Sequence, residues 1–306
     1  MSLTRRDVYQ IITARITALL EQGTVPWHRP WTAQPPANLI THKPYRGVNL
    51  ILLGCMPFSS PWWATYRQVQ ELGGYVRKGE RGTPVCFWKW IEKTDEADNA
   101  QTQEDAKRIP VLRYYTVFNT DQCEDISQHL PPGRPSPEEP IAAAEAIVAG
   151  MPDPPRMQPG LVAAYSPSVD LVTMPALGSF QDAEAYHSTL FHELAHSTGH
   201  PRRLNRPAIA EACPFGSTNY SKEELVAEMA AAFLCAHAGI NNRTVDNSAA
   251  YIAGWLERLS KDRTLMVHSA AAAQKGADYI LGGTASTLAQ QCDDHSTQRT
   301  GRQRTH

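Results

Sequence analysis

The run His192-Glu193-Leu194-Ala195-His196 constrains this chain more than any other stretch. On a helix, residues four apart stand one turn apart on the same face, so the two imidazoles aim at one point. That point suits a divalent metal ion, and Glu193 beside it suits the general base of a metal-assisted hydrolysis. The flanks predict the helix. Ser179, three before Asp182, reads as an N-cap box. Ala183, Tyr186, Leu190, Phe191 and Leu194 recur at helical spacing. Gly199 followed by Pro201 stops the helix.

A hydrolytic zinc site takes three protein ligands and keeps a fourth position open. The third ligand has to come from elsewhere. His200 follows His196 by one turn, but only across Gly199, and the histidine of the longer zinc-binding pattern is replaced here by Arg202. A better source is the next helix, read as 221–237 with Ser221 and Glu224 as its capping box. It carries Glu224 and Glu228 one turn apart, and Ala227, Ala231 and Ala232 leave room for close helix approach. Glu224 is the favoured ligand, with Glu228 placed below it within reach of a ligand histidine's second nitrogen. Glu228 as the ligand itself is the alternative. The expected cofactor is one Zn2+, with Mn2+ or another divalent ion in its place as the alternative. Tyr220 is the first candidate to donate to a developing oxyanion and Tyr186 the second.

Charge is distributed unevenly along the 306 residues. Residues 1–90 hold 11 Lys or Arg against 4 Asp or Glu, and the rest holds 18 against 27. The same first 90 residues carry 6 of the 7 tryptophans. A basic, tryptophan-rich part therefore precedes an acidic one, although the formal net charge is only -2. The 42% hydrophobic and 20% charged content fits a globular protein. The 6 cysteines form no Cys-x-x-Cys pair and the start carries no signal-peptide pattern, so reduced thiols in a cytoplasmic protein are expected. No apolar run approaches 18 residues, so no membrane span and no membrane partner are expected.

In chain order, 3–22 reads as an amphipathic helix ended by Gly23. Residues 24–48 read as irregular chain pinned by aromatics, followed by a short helix to Leu53. Thr65 and Gln68 form a capping box for a helix closed by Gly73 and Gly74. Two strands are predicted at 84–91 and 109–118, with a long charged and polar loop between. A proline-rich linker with a short helix spans 131–160. Residues 169–174 read as an edge strand flanked by prolines. After the metal helix come amphipathic helices around 251–259 and 265–281, and 284–306 reads as a disordered tail. The expected fold is α+β: a small mixed domain at 1–130, the linker, and a mainly helical domain with an edge strand at 161–283.

The stretch Phe191 to Pro201, with Leu204-Asn205-Arg206 and Glu223-Glu224-Leu225-Val226-Ala227-Glu228, resembles the C-terminal domain of ArdC-type antirestriction proteins. That resemblance implies a zincin-like metallopeptidase domain in which a ligand glutamate is followed four positions later by a supporting acid or amide, which matches Glu224 and Glu228. Pro26-Trp27, Tyr45-Arg46-Gly47-Val48-Asn49, Trp63-Ala64-Thr65-Tyr66, Val76-Arg77-Lys78-Gly79-Glu80 and Val117-Phe118-Asn119 are similar to the front domain of the same family. There the resemblance implies single-stranded DNA as the partner and plasmid transfer as the setting.

Binding single strands without sequence preference takes phosphate neutralisation and flat surfaces for stacking. Lys43, Tyr45 and Arg46 form one basic-aromatic cluster. Arg77, Lys78, Arg81, Trp88 and Lys89 form another. Duplex-reading motifs are absent from the sequence. Three functional readings share these features: an antirestriction protein that binds single-stranded DNA and carries a zinc metallopeptidase-like domain, a DNA-coating protein with a non-catalytic metal site, and an active protease acting on a DNA-associated protein or peptide. A nuclease is disfavoured, because His-Glu-x-x-His with a glutamate is a peptidase arrangement.

Overall fold

The structure, a computed structural model, describes residues 7–28, 34–92, 108–131, 137–210, 218–242 and 248–282. Helix α1 (Val8–Glu21) starts at Asp7, whose side chain accepts from the Tyr9 amide at 3.0 Å. It buries Ile12, Ile16 and Leu20 along one stripe. Then follow β1 (Ala37–Asn38), α2 (Val48–Gly54), β2 (Trp62–Thr65), α3 (Tyr66–Glu71), β3 (Tyr75–Val76), β4 (Thr83–Glu92), β5 (Arg108–Asn119) and β6 (Cys123–Glu124). The predicted box at Thr65 is formed in full: its hydroxyl accepts from the Gln68 amide, and the Gln68 side chain accepts from the Thr65 amide.

Four of these strands make one sheet in the order β1-β2-β5-β4, with β1 parallel to β2 and the rest antiparallel. β3 and β6 pair separately. The inner end of the sheet is packed. Trp63, Val85 and Val117 close over Tyr45 and Leu53.

The second part comprises α4 (Pro140–Gly150), β7 (Arg156–Pro159), β8 (Ala164–Ser166), β9 (Leu171–Met174), α5 (Ala183–Ser197), α6 (Pro207–Ala210), α7 (Thr218–Ala238), α8 (Ala249–Lys261) and α9 (Leu265–Ile280). It is mainly helical, as expected, with one small sheet ordered β7-β9-β8. The edges of that sheet are β7 and β8. Segment 169–174, read as an edge, instead supplies the central strand, because the proline-flanked stretch at 156–159 pairs in parallel with it. Helices α5, α7 and α9 form the core, and alanines at 227, 230, 231, 273 and 277 are buried where they meet. One hydrophobic cluster joins this core to Ile12, Ile16, Leu20 and Trp27 of the front segment and to Val48, Ile51 and Leu52 of α2. Among the described residues Cys55, Cys86, Cys123 and Cys235 form no disulfide. No helix among the described residues is long and apolar enough to cross a membrane. The insert at 93–107 and the tail at 284–306 lie outside the described residues.

Candidate metal centre

Helix α5 begins at Asp182, not at Ser179. Asp182 has the extended backbone of a cap and accepts from the Ala185 amide at 2.8 Å. Leu190, Phe191, Leu194 and Ala195 turn into the core, which leaves His192 and His196 on the face towards α7. The two Nε2 atoms lie 3.1 Å apart, with the rings at 82°.

Across from them, one Glu224 oxygen lies 3.5 Å from His192 Nε2 and the other 3.6 Å from His196 Nε2. A tetrahedral site with zinc–ligand bonds of this type has edges of about 3.3 Å. The two nitrogens and the carboxylate therefore fit a divalent ion, and among the described residues they are the one such cluster. Ser221 does not cap α7, which already begins at Thr218, so Glu224 is an interior helix residue with its carboxylate directed at the imidazoles.

The neighbouring Glu223 serves a different purpose. Its Oε1 lies 3.4 Å from His196 Nδ1, on the side of the ring away from Glu224. The Arg206 guanidinium holds the same carboxylate, Nε to Oε2 at 2.9 Å, and also donates to the Ala195 carbonyl at 2.8 Å and to the Thr198 hydroxyl at 2.6 Å. Gly199 makes room for this. A Cβ there would meet Ile209 at 2.7 Å and the Arg206 guanidinium at 3.1 Å. The loop after α5 is thus folded back to clamp the carboxylate that orients His196.

Glu228, expected behind Glu224 against a histidine, does not bond to either imidazole. It accepts from Trp27 Nε1 at 2.8 Å and from the Tyr251 hydroxyl at 2.5 Å, and lies 3.7 Å from His28 Nε2. Burial, then the adjoining Glu228 charge, pushes the Tyr251 hydroxyl well above its usual range. Sequence reasoning missed Glu223 and Arg206, although both fall in the runs that carried the family resemblance.

The charges in the cluster offset one another. Burial opposes a charge on His196, but Glu223 and Glu224 overcome it and raise the imidazolium to about 10. Burial would raise both carboxyls. Arg206 and His196 hold Glu223 below its ordinary value, and the two imidazoles hold Glu224 far below it. A divalent ion held by His192, His196 and Glu224 would take the place of the His196 proton in this balance.

The other expected site residues are placed as follows. Glu193 is buried beside His192 on α5. The Tyr220 side chain lies outside the described residues, and Tyr186 packs edge-on against Phe180. His200 accepts from the Arg202 amide and stands outside the metal cluster. Lys43, Arg77, Lys78, Arg81, Trp88 and Lys89 are exposed. Arg77 is bonded to Glu80 and to the Asp121 carbonyl, and Arg46 is ion-paired with Asp278 of α9. Tyr45, expected to stack on bases, is a core residue with 9% exposure.

Two histidines one turn apart on α5, a glutamate from α7 and a small mixed sheet beside them define a zincin-like metallopeptidase fold, here preceded in the chain by an α+β part. Residues 142–273 match the zincin-like metallopeptidase domain, and residues 6–118 match the N-terminal domain of anti-restriction factor ArdC. The fold agrees with the crystal structure of the antirestriction ArdC protein from plasmid R388 in its metal-free form, with a TM-score of 0.71 at 35% identity over 95% of this chain and 100% of that one. The Mn(II)-bound form of that protein gives 0.70 over 90% and 97%. An uncharacterized protein, y4eC of Sinorhizobium fredii, is 38% identical over 90% of this chain and 92% of its own length. A DNA primase TraC of Escherichia coli is 35% identical over 90% of this chain, which spans only 20% of that primase. The chain belongs to the ArdC family of antirestriction proteins.

Proposed function

We propose that this protein binds single-stranded DNA entering a cell by plasmid conjugation and shields it from restriction, acting in the cytoplasm. Its likeness along the whole length of the R388 antirestriction protein is the observation that carries this reading. The exposed basic side chains of Lys43, Lys78, Arg81 and Lys89 support it, since they offer phosphate contacts in the part of the chain with excess positive charge.

In this reading the C-terminal centre binds one divalent ion through His192, His196 and Glu224, and the ion's role is to hold α5 and α7 in place rather than to hydrolyse a peptide. The Mn(II)-bound relative favours it, since Mn2+ suits a site with a carboxylate and exchangeable positions.

A second reading, a working zinc peptidase acting on a DNA-associated protein, is favoured by Glu193, which stands beside a complete His-His-Glu set. A bound ion would there supply Lewis-acid polarisation and an acidified water. Glu193 would take up a proton and pass it to the leaving amine, with Tyr220 as the candidate donor to the oxyanion.

The test combines oligonucleotide binding with protection of plasmid DNA. Chelation, or His192→Ala, that leaves binding and protection intact in a folded protein supports the coating function. Glu193→Gln that abolishes protection but keeps DNA binding supports the peptidase.

A further inference from the structure

β4 and β5 run side by side well past the packed end of the sheet, through the pairs Phe87–Arg113, Lys89–Val111 and Ile91–Ile109. Residues opposite one another in an antiparallel pair share a face, so Phe87, Lys89, Ile91, Ile109, Val111 and Arg113 line one side of this outer ribbon. Tyr115, opposite Val85, joins them where that face enters the core. The other side carries Trp88, Trp90 and Leu112.

The two sides differ in their inner neighbours and in charge, not in the exposure of their outer rings, since Trp88 and Trp90 are 42% and 39% exposed. Trp88 stands edge-on to His268 of α9, which itself stacks on Tyr9 of α1, and Leu112 is buried in the main core. On the first side, Phe87 and Tyr115 are each 38% exposed, with ring centroids 5.7 Å apart. Ile91 and Ile109 beyond them are 36% and 41% exposed. Among the described residues, neither Lys89 nor Arg113 has an acidic partner.

A row of partly exposed apolar and aromatic side chains on a strand face would ordinarily be an aggregation hazard. Here cations interrupt it at strand spacing. The Phe87 and Tyr115 rings, in tilted contact with each other and flanked by Lys89 and Arg113, match the aromatic platform and phosphate contacts that a single strand uses. A duplex offers no base faces to such rings.

We propose that single-stranded DNA lies along the Phe87, Tyr115, Lys89 and Arg113 face of the β4–β5 ribbon, not along the Trp88 face. This rests on the DNA-binding function proposed above and assigns it a location.

The test uses the full-length protein and a fluorescent oligothymidylate, with binding followed by anisotropy across a salt series. Phe87→Ala with Tyr115→Ala is expected to weaken binding about tenfold or more. Lys89→Ala with Arg113→Ala is expected to lower the slope of log affinity against log salt by about 1.4, two phosphates at about 0.7 each. Trp90→Ala, on the opposite side, is expected to bind as the parent does. Parental affinity and slope in both double variants, with unchanged circular dichroism, overturn the assignment, as does a double variant that alters only self-association by sedimentation. No binding of the oligonucleotide by the parent protein overturns the underlying function instead.

Discussion

Trp27 and Glu228, 201 residues apart, meet in a buried hydrogen bond of 2.8 Å from the indole Nε1 to the carboxylate. Glu228 lies one turn beyond Glu224 on α7, so the front segment reaches the helix that supplies the third donor of the metal cluster. Trp27→Phe keeps the ring and removes the donor. Hydrogen bonds to charged groups contribute about 1.5–3 kcal/mol, so urea unfolding should show a loss of that order.

Glu223 has a different effect, on the metal rather than on the fold alone. Removing a carboxylate that orients a ligand imidazole typically costs about 10–100-fold in metal affinity. Glu223→Gln should therefore weaken Mn2+ binding by that factor in calorimetry while leaving oligonucleotide binding unchanged.

The pH dependence of the metal-free protein follows from the same cluster. Glu223 and Glu224 are held below their ordinary 4.5, so their contribution to stability is present above that value and is lost as pH falls through their depressed values. His196 is raised from 6.5 to about 10, so its contribution is complete below 6.5 and is lost as pH rises towards 10. The melting temperature in chelator should fall at both ends. Saturating Mn2+ should abolish the alkaline fall, because the ion replaces the His196 proton.

The reading of the sequence was strongest where chemistry is local. His192, Glu193 and His196 owe their placement to helical spacing, and the Thr65–Gln68 box to one turn of chain. Both were legible. Glu224 was reached through its position on a helix rich in alanine. Glu223 was not, because what distinguishes it from its neighbour is that His196 Nδ1 and Arg206 approach from two other elements. Glu228 looked like support for the metal because it follows Glu224 by one turn, and only the fold brings Trp27 to it. Ser179 and Asp182 are equally good caps by residue type, but Asp182 has the extended backbone and the bond to Ala185. Strand β7 was hidden by its prolines, which a parallel edge tolerates. Tyr45 read as a surface aromatic among basic residues, yet the chain turns its ring inward against Trp63 and Val85.

Arg203 and Asp170 form a further link that positions the site. The fully buried guanidinium donates twice to Asp170 at 2.8 Å and once to the Ser197 carbonyl at the end of α5. Asp170 has a left-handed backbone, φ +47°, that asparagine also adopts, so Asp170→Asn removes the charge without backbone strain. Breaking a buried pair from one side costs about 3–5 kcal/mol, and chemical denaturation should show a loss of that size.

The central claim is that DNA protection depends on coating the strand and not on peptide hydrolysis. The most direct measurement is plasmid transfer into a restricting recipient with the parent protein and Glu193→Gln, alongside oligonucleotide and Mn2+ binding by both. The account predicts equal transfer, equal DNA affinity and equal metal binding. A Glu193→Gln protein that binds DNA and Mn2+ normally but no longer protects transfer would contradict it.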